Sequence, residues 1–103
     1  MKPFILTPWA EKDLSDIWDF IASDNVEAAE RVLVAIERAI HKLSKSPRLG
    51  HWREELADKR HRFLLVYSYL IVYRPETKPL QVIRVLHAAR DVQSILGLGG
   101  TLT

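Results

Sequence analysis

The chain has 103 residues, 48% of them hydrophobic and 27% charged, with a net charge of +2 and no cysteine. This is enough for one domain with one core and an ordinary composition for a soluble protein. It excludes a disulfide framework and thiolate metal ligands, and no apolar run approaches the roughly 20 residues a membrane-spanning helix needs. The apolar run at Phe4, Ile5 and Leu6 is closed by Thr7-Pro8, too short for a signal peptide. The cytoplasm is the expected location, with no membrane association. The charge is segregated: residues 1–30 carry seven acids and two bases, and residues 31–62 nine bases and four acids. The basic middle suits an acidic partner or nucleic acid, and an excess this modest also suits a solvated surface balanced by the acidic first helix.

In chain order, residues 2–6 predict a short strand, with Pro3 favouring an edge or a strand start. Thr7 is a good N-cap, and Pro8 fits the first helical position. Leu14, Ile17, Trp18 and Ile21 then form one apolar stripe, which predicts a helix over 8–22. Asp13, Asp16 and Asp19 lie off the stripe and read as its wet face rather than as metal ligands. Asp24 with Glu27 has capping-box spacing. Ala29, Val32, Leu33, Ile36, Ile40 and Leu43 make a second stripe that Pro47 stops near Lys45. Two amphipathic helices joined by two or three residues are antiparallel neighbours.

Residues 46–58 are irregular, punctuated by Pro47 and Gly50; residues 51–53 suit a short strand and residues 54–56 a helical turn, and both stay open. Residues 59–91 are the basis of the sheet. Arg60, Arg62, Leu64 and Val66 share one strand parity, and His61, Phe63 and Leu65 the other. A tight turn is expected near Tyr67-Ser68 and a clearer one at residues 75–79. The runs Y-L-I-V-Y at 69–73 and V-I-R-V-L at 82–86 are apolar on both parities, the mark of a strand covered on both faces. The helix hairpin is the expected cover. Residues 90–96 suit a short closing helix and residues 97–103 a frayed tail. The fold class is therefore α+β: an N-terminal strand and an antiparallel helix hairpin packed on an antiparallel sheet meander, with a short C-terminal helix, all in one domain over 1–103.

The four histidines, His41, His51, His61 and His87, form no ligand pattern, so neither a metal nor any other cofactor is expected. The four glycines form no phosphate loop. The basic cluster Arg53, Lys59, Arg60 and Arg62 has the chemistry to clamp a phosphate in a metal-free ribonuclease if a base and an acid join it, and His87 is the better histidine for that. Arg84 sits in an apolar strand, so its charge needs a partner; Asp91 and the acids of the first helix are the candidates.

Three segments together resemble the RelE/ParE toxin superfamily, and its ParE, or plasmid-stabilisation, branch most closely. They are L-S-K-S-P-R-L-G-H at 43–51, Y-L-I-V-Y-R at 69–74 and V-I-R-V-L-H-A-A-R-D at 82–91. The resemblance covers about residues 3–96. It implies a bacterial toxin of a type II toxin–antitoxin pair. The partner would be a small antitoxin with a DNA-binding N-terminal half and a tail that folds on the toxin. It implies one of two activities, inhibition or poisoning of DNA gyrase in the ParE branch or metal-free cleavage of mRNA on the ribosome in the RelE branch. RelE-type enzymes place an Arg within R-L-V-Y, where this chain has Leu70, and an aromatic acid/base near the C-terminus, where this chain runs Val92-Gln93-Ser94-Ile95-Leu96. Losing that guanidinium removes a charge and five donors from the place where transition-state charge builds up. The expectation is a gyrase inhibitor with no catalytic residues. A ribonuclease in which Arg62 and His87 substitute, and a non-toxic antitoxin-binding relic, are the alternatives. Arg60, Arg62, Arg84 and Arg90 are the candidate target contacts, and no sequence-specific nucleic-acid binding is expected. Trp9, Trp18 and Phe20 are the candidate antitoxin contacts, weighed against plain core packing for the tryptophans.

Overall fold

The computed structural model describes residues 3–52 and 60–89. The elements run β1 (Phe4–Leu6), α1 (Pro8–Ala22), α2 (Val26–Lys45), a 3-10 turn (Pro47–Leu49), β2 (Arg62–Val66), β3 (Tyr69–Arg74) and β4 (Leu80–His87). Both helices follow from their stripes. Ala10 and Ile17 of α1 and Ala29, Ile36, Ile40 and Leu43 of α2 are buried. Thr7 caps α1, its hydroxyl accepting the Ala10 amide at 3.1 Å. The cap of α2 differs from the capping-box expectation. Asn25, not Asp24, takes the position, its side-chain oxygen accepting the Ala28 amide at 3.0 Å. Asp24 instead gives its amide to the Ile21 carbonyl as α1 ends, so the turn needs both residues before α2 starts.

The strands form one mixed sheet in the order β1-β4-β3-β2. The meander β2-β3-β4 is antiparallel, while β1 joins the far edge parallel to β4, Phe4 opposite Leu80. Tyr67 makes the β2–β3 turn with a positive φ of 55°. This is a conformation that usually selects Gly or Asn, which is why the turn lacked its usual sequence signal. His51 bridges Phe63, in keeping with the short-strand reading of residues 51–53, of which residue 53 lies outside the described residues. Residues 54–56, the closing helix at 90–96 and the tail at 97–103 lie outside the described residues.

β3 is buried along both parities, as its composition predicts. Tyr69, Ile71 and Tyr73 join Leu80, Val82 and Val85 under the helices, while Leu70 and Val72 join Phe63 and Leu86 in a second cluster. β4 carries a bulge. Tyr73 pairs with Val82 and Val72 with Arg84, so Ile83 is the extra residue. The polar groups around the bulge find partners on and beside α1. The Thr7 hydroxyl donates to the Ile83 carbonyl at 2.7 Å, and the Val85 amide donates to Asp13 Oδ2 at 2.9 Å. One cap residue and one aspartate thus seat the helix hairpin on the sheet.

Candidate functional site

Among the described residues, two polar networks stand out. The first is the loop after α2. Tyr73, fully buried on β3, donates its hydroxyl hydrogen to the Pro47 carbonyl and accepts the Gly50 amide at 2.9 Å. Arg62 on β2 donates to the Gly50 carbonyl at 2.7 Å and more weakly to the Arg48 carbonyl at 3.4 Å. Its guanidinium also lies 4.4 Å from the centre of the Trp52 ring. Gly50 is where this packing is tightest. A Cβ there would stand 2.5 Å from the Tyr73 hydroxyl and 2.9 Å from the Phe63 carbonyl oxygen. The loop is therefore held by a tyrosine and an arginine from two strands, and only a residue without a side chain fits between them.

The second place is the seam between α1 and β4. Arg84 grips Asp13 with two bonds, Nε to Oδ2 at 2.7 Å and Nη2 to Oδ1 at 2.9 Å. With the Val85 amide, Asp13 accepts three bonds. The hydrogen bond to Asp13 pushes the Arg84 guanidinium further above its usual range, against a smaller opposing effect of burial. This corrects the reading of Asp13 as part of the wet face: Asp16 and Asp19 are exposed, and Asp13 is the partner of Arg84. His87 follows on β4. It stands edge-on to Tyr69 with ring centroids 5.4 Å apart, and its Nδ1 accepts the Ala89 amide.

The candidate target contacts are thus not one cluster. Arg62 and Arg84 are each committed to internal bonds, Arg60 is exposed ahead of β2, and Arg90 lies outside the described residues, as do Arg53 and Lys59. Arg62 pairs with Tyr73 and His87 with Tyr69, at opposite ends of β3. Four strand residues span about 13 Å. Arg62 and His87 therefore do not meet on one reacting group. Leu70, where the resemblance places a catalytic arginine in ribonucleases, is 6% exposed and packed with Phe63, Val72 and Leu86.

Two of the three aromatic residues of α1 face outward. Trp9 is 66% exposed and Phe20 76%, while Trp18 is half-buried in a groove with Phe4, Leu14, Leu33 and Glu37. Plain core packing is thereby excluded for Trp9, and for Trp52, which is 44% exposed.

The family model described as the ParE toxin of type II toxin–antitoxin systems, parDE, matches residues 4–92. The chain belongs to the ParE toxin family. It is 32% identical over 91 residues to Toxin ParE1 of Mycobacterium tuberculosis (strain H37Rv), covering 86% of this chain and 92% of the relative. It is 30% identical over 98 residues to Toxin ParE1 of Caulobacter vibrioides, covering 94% and 100%. Its fold is similar to a solved chain of the chromosomal ParDE system from P. aeruginosa, with a TM-score of 0.67, 21% identity, and coverage of 82% of this chain and 92% of that one.

Two of the ParE-like sequence segments turn out to be two sides of one contact. The S-P-R-L-G loop and Y-L-I-V-Y-R meet through Tyr73, Pro47 and Gly50. The third, V-I-R-V-L-H, meets α1 through Arg84 and Asp13. The sequence names the acids of the first helix as candidate partners for Arg84, and Asp13 is the one that fills the role; it does not point to Tyr73 or to the close approach at Gly50. The one available signal was a charge in an apolar strand, which demands an acid.

Tyr73 ties this ParE loop to alkaline stability. Burial holds its phenol above the usual 10.0, with the Gly50 amide and the Arg62 charge pulling in the other direction. A phenol that keeps its proton more tightly when folded stabilises fully below the unfolded value and loses that contribution as pH rises through the folded one. Unfolding free energy is therefore expected to fall above pH ~10, with Tyr73 contributing part of the slope. Tyr73→Phe, followed by urea denaturation across pH, should cost about 1–3 kcal/mol at neutral pH through the unpaired Gly50 amide and Pro47 carbonyl. It should also flatten the alkaline fall. An unchanged slope in the variant would show that Tyr73 does not titrate with folding.

Proposed function

We propose that this toxin acts by inhibiting DNA gyrase and that a cognate antitoxin neutralises it in the cytoplasm, in a system that can stabilise the replicon carrying it. The observation that carries the reading is the apolar sheet face at Leu70. A ribonuclease of the related branch needs a guanidinium there to meet developing phosphoryl charge, and here Phe63, Leu70, Val72 and Leu86 pack against one another. Two of the three arginines on the described strands support the same conclusion, because Arg62 is spent on loop carbonyls and Arg84 on Asp13, while the third, Arg74, ends β3 4.0 Å from Glu76. Toxicity on this reading is binding, not catalysis. Arg60 is the exposed candidate contact for the target, Arg90 is a second candidate that lies outside the described residues, and Arg62 and Arg84 hold the loop and the α1 seam in place.

The exposed Trp9 and Phe20 and the groove at Trp18 support an antitoxin that lays an apolar segment along α1. Large aromatic side chains left in water are the groups that contribute most when a partner covers them. A supercoiling assay with purified gyrase, ATP and relaxed plasmid, titrated with the full chain freed of antitoxin, tests the reading. Supercoiling is expected to fall with toxin concentration and to recover when the antitoxin is added. Undiminished supercoiling at large excess of folded toxin would defeat the proposal. Cleaved transcripts in a translation reaction would then put the ribonuclease branch in its place.

A further inference from the structure

A cleft of about 990 Å³ opens at the C-terminal end of α2, apart from both the Leu70 face and the exposed aromatics of α1. Its cations come from four elements: Lys45 from α2, Arg48 from the 3-10 turn, Arg62 from β2 and Lys78 from the β3–β4 turn. Among the described residues, no carboxylate pairs with Lys45, Arg48 or Lys78. Among the described residues Glu76 is the one acid on the rim, and it lies 4.0 Å from Arg74. Arg62 spends its hydrogen bonds on neutral carbonyls, so its charge is not cancelled. Leu49 and Trp52, each 44% exposed, line the wall between these cations.

Lysine in the last turn of a helix has an ordinary explanation, since it complements the carbonyl end of the helix dipole. That explanation covers Lys45. It does not cover Arg48 and Lys78, which lie on other elements and converge on the same space. The helix end itself repels an anion, so any anion bound here is held by side-chain charge. The cleft is also much roomier than a single small anion requires, which favours a polymer that threads it.

We propose that this cleft binds the phosphate backbone of a single-stranded nucleic acid, with Lys45, Arg48 and Lys78 meeting phosphates and the Trp52 indole, one face of which carries Arg62, offering a base its other face to stack on. A positive groove with an exposed aromatic is the combination that binds single strands without reading sequence. An acidic peptide would satisfy the charges but has no need of the indole. The contact is independent of gyrase, so it stands or falls separately from the target reading.

The test is fluorescence anisotropy of a labelled oligothymidylate titrated with the full-length toxin at several salt concentrations. Affinity should fall with salt, with a log–log slope of about −2 for three phosphate contacts on a single strand. Lys45→Ala, Arg48→Ala and Lys78→Ala should each weaken binding several-fold and shallow that slope, with circular dichroism unchanged. Lys12→Ala, on an exposed α1 pair, should leave binding as it was. Unlabelled oligothymidylate should quench tryptophan emission in the native chain and do so less in Trp52→Phe. Absent binding at low salt, binding untouched by the triple alanine variant, or polyglutamate competing as well as the oligonucleotide would each overturn the proposal, the last in favour of an acidic peptide.

Discussion

Gly50→Ala is expected to destabilise the protein by about 3 kcal/mol or more. Adding one methyl to a closed site costs ~1–3 kcal/mol through forced displacement, and here the methyl meets the Tyr73 hydroxyl at 2.5 Å, its Cε1 at 2.8 Å and the Phe63 carbonyl oxygen at 2.9 Å. None of these gives way cheaply. The ring of Tyr73 is buried, and the Phe63 carbonyl accepts the His51 amide at 2.8 Å. Movement of the loop would also stretch the bonds from Gly50 to Tyr73 and from Arg62 to Gly50, each worth about 1 kcal/mol. For a domain of this size the loss corresponds to a fall in Tm of roughly 12–20 °C. Thermal unfolding by circular dichroism measures it. The double variant Gly50→Ala, Tyr73→Phe locates the strain. Without the hydroxyl the shortest contact is gone, so the two changes should cost less together than the sum of each alone. Strict additivity would mean that the strain is not against Tyr73.

Asp13→Ala should cost about 3 kcal/mol. The side chain of Asp13 is 11% exposed and that of Arg84 22%, so neither charge is well solvated. An exposed ion pair contributes under about 1 kcal/mol, but removing one member of a buried pair leaves the other desolvated and alone, at ~3–5 kcal/mol. The lower end applies because Arg84 retains some access to water. The Val85 amide loses its acceptor as well. Arg84→Met alone is expected to be milder, since Asp13 keeps the Val85 bond and methionine keeps the apolar stem. The double variant should recover part of the loss, with a coupling energy of about 1–3 kcal/mol by urea denaturation. If Asp13→Ala were as stable as the parent, the seam would not be what seats α1 on β4. Loss of toxicity in an Arg84 variant therefore needs a stability measurement beside it before Arg84 is assigned a contact with the target.

Much of this architecture is legible in the sequence. The extent of α1 follows from Thr7, Pro8 and the stripe through Ile17, because capping and periodicity are local properties of a few adjacent residues. The end of α2 at Lys45 follows from Pro47 for the same reason. The burial of β3 on both faces follows from five successive apolar or aromatic residues. Family membership was legible too, in three short segments that are specific only together. Local pattern failed where two neighbouring residues had similar chemistry: Asp24 and Asn25 both cap helices, and which one does so depends on how the turn closes.

What the sequence by itself determined, then, was the order of elements, their faces and the family. The tertiary structure alone decided which side chains belong together across long separations: Asp13 with Arg84, Tyr73 with Pro47 and Gly50, Arg62 with the same loop, and β1 with β4 rather than β2. Periodicity says which face a residue occupies but not which element lies opposite it. The extra residue at Ile83 shifts the register of β4, and that shift brings the Val85 amide and Arg84 to Asp13. Arg62 and His87 are kept apart by the pairing of β2 and β4 with opposite ends of β3, Arg62 with Tyr73 and His87 with Tyr69. A pairing of charges 71 residues apart, or the failure of two groups to meet, is fixed by how the strands align, and one chain read in order holds no local signal of that.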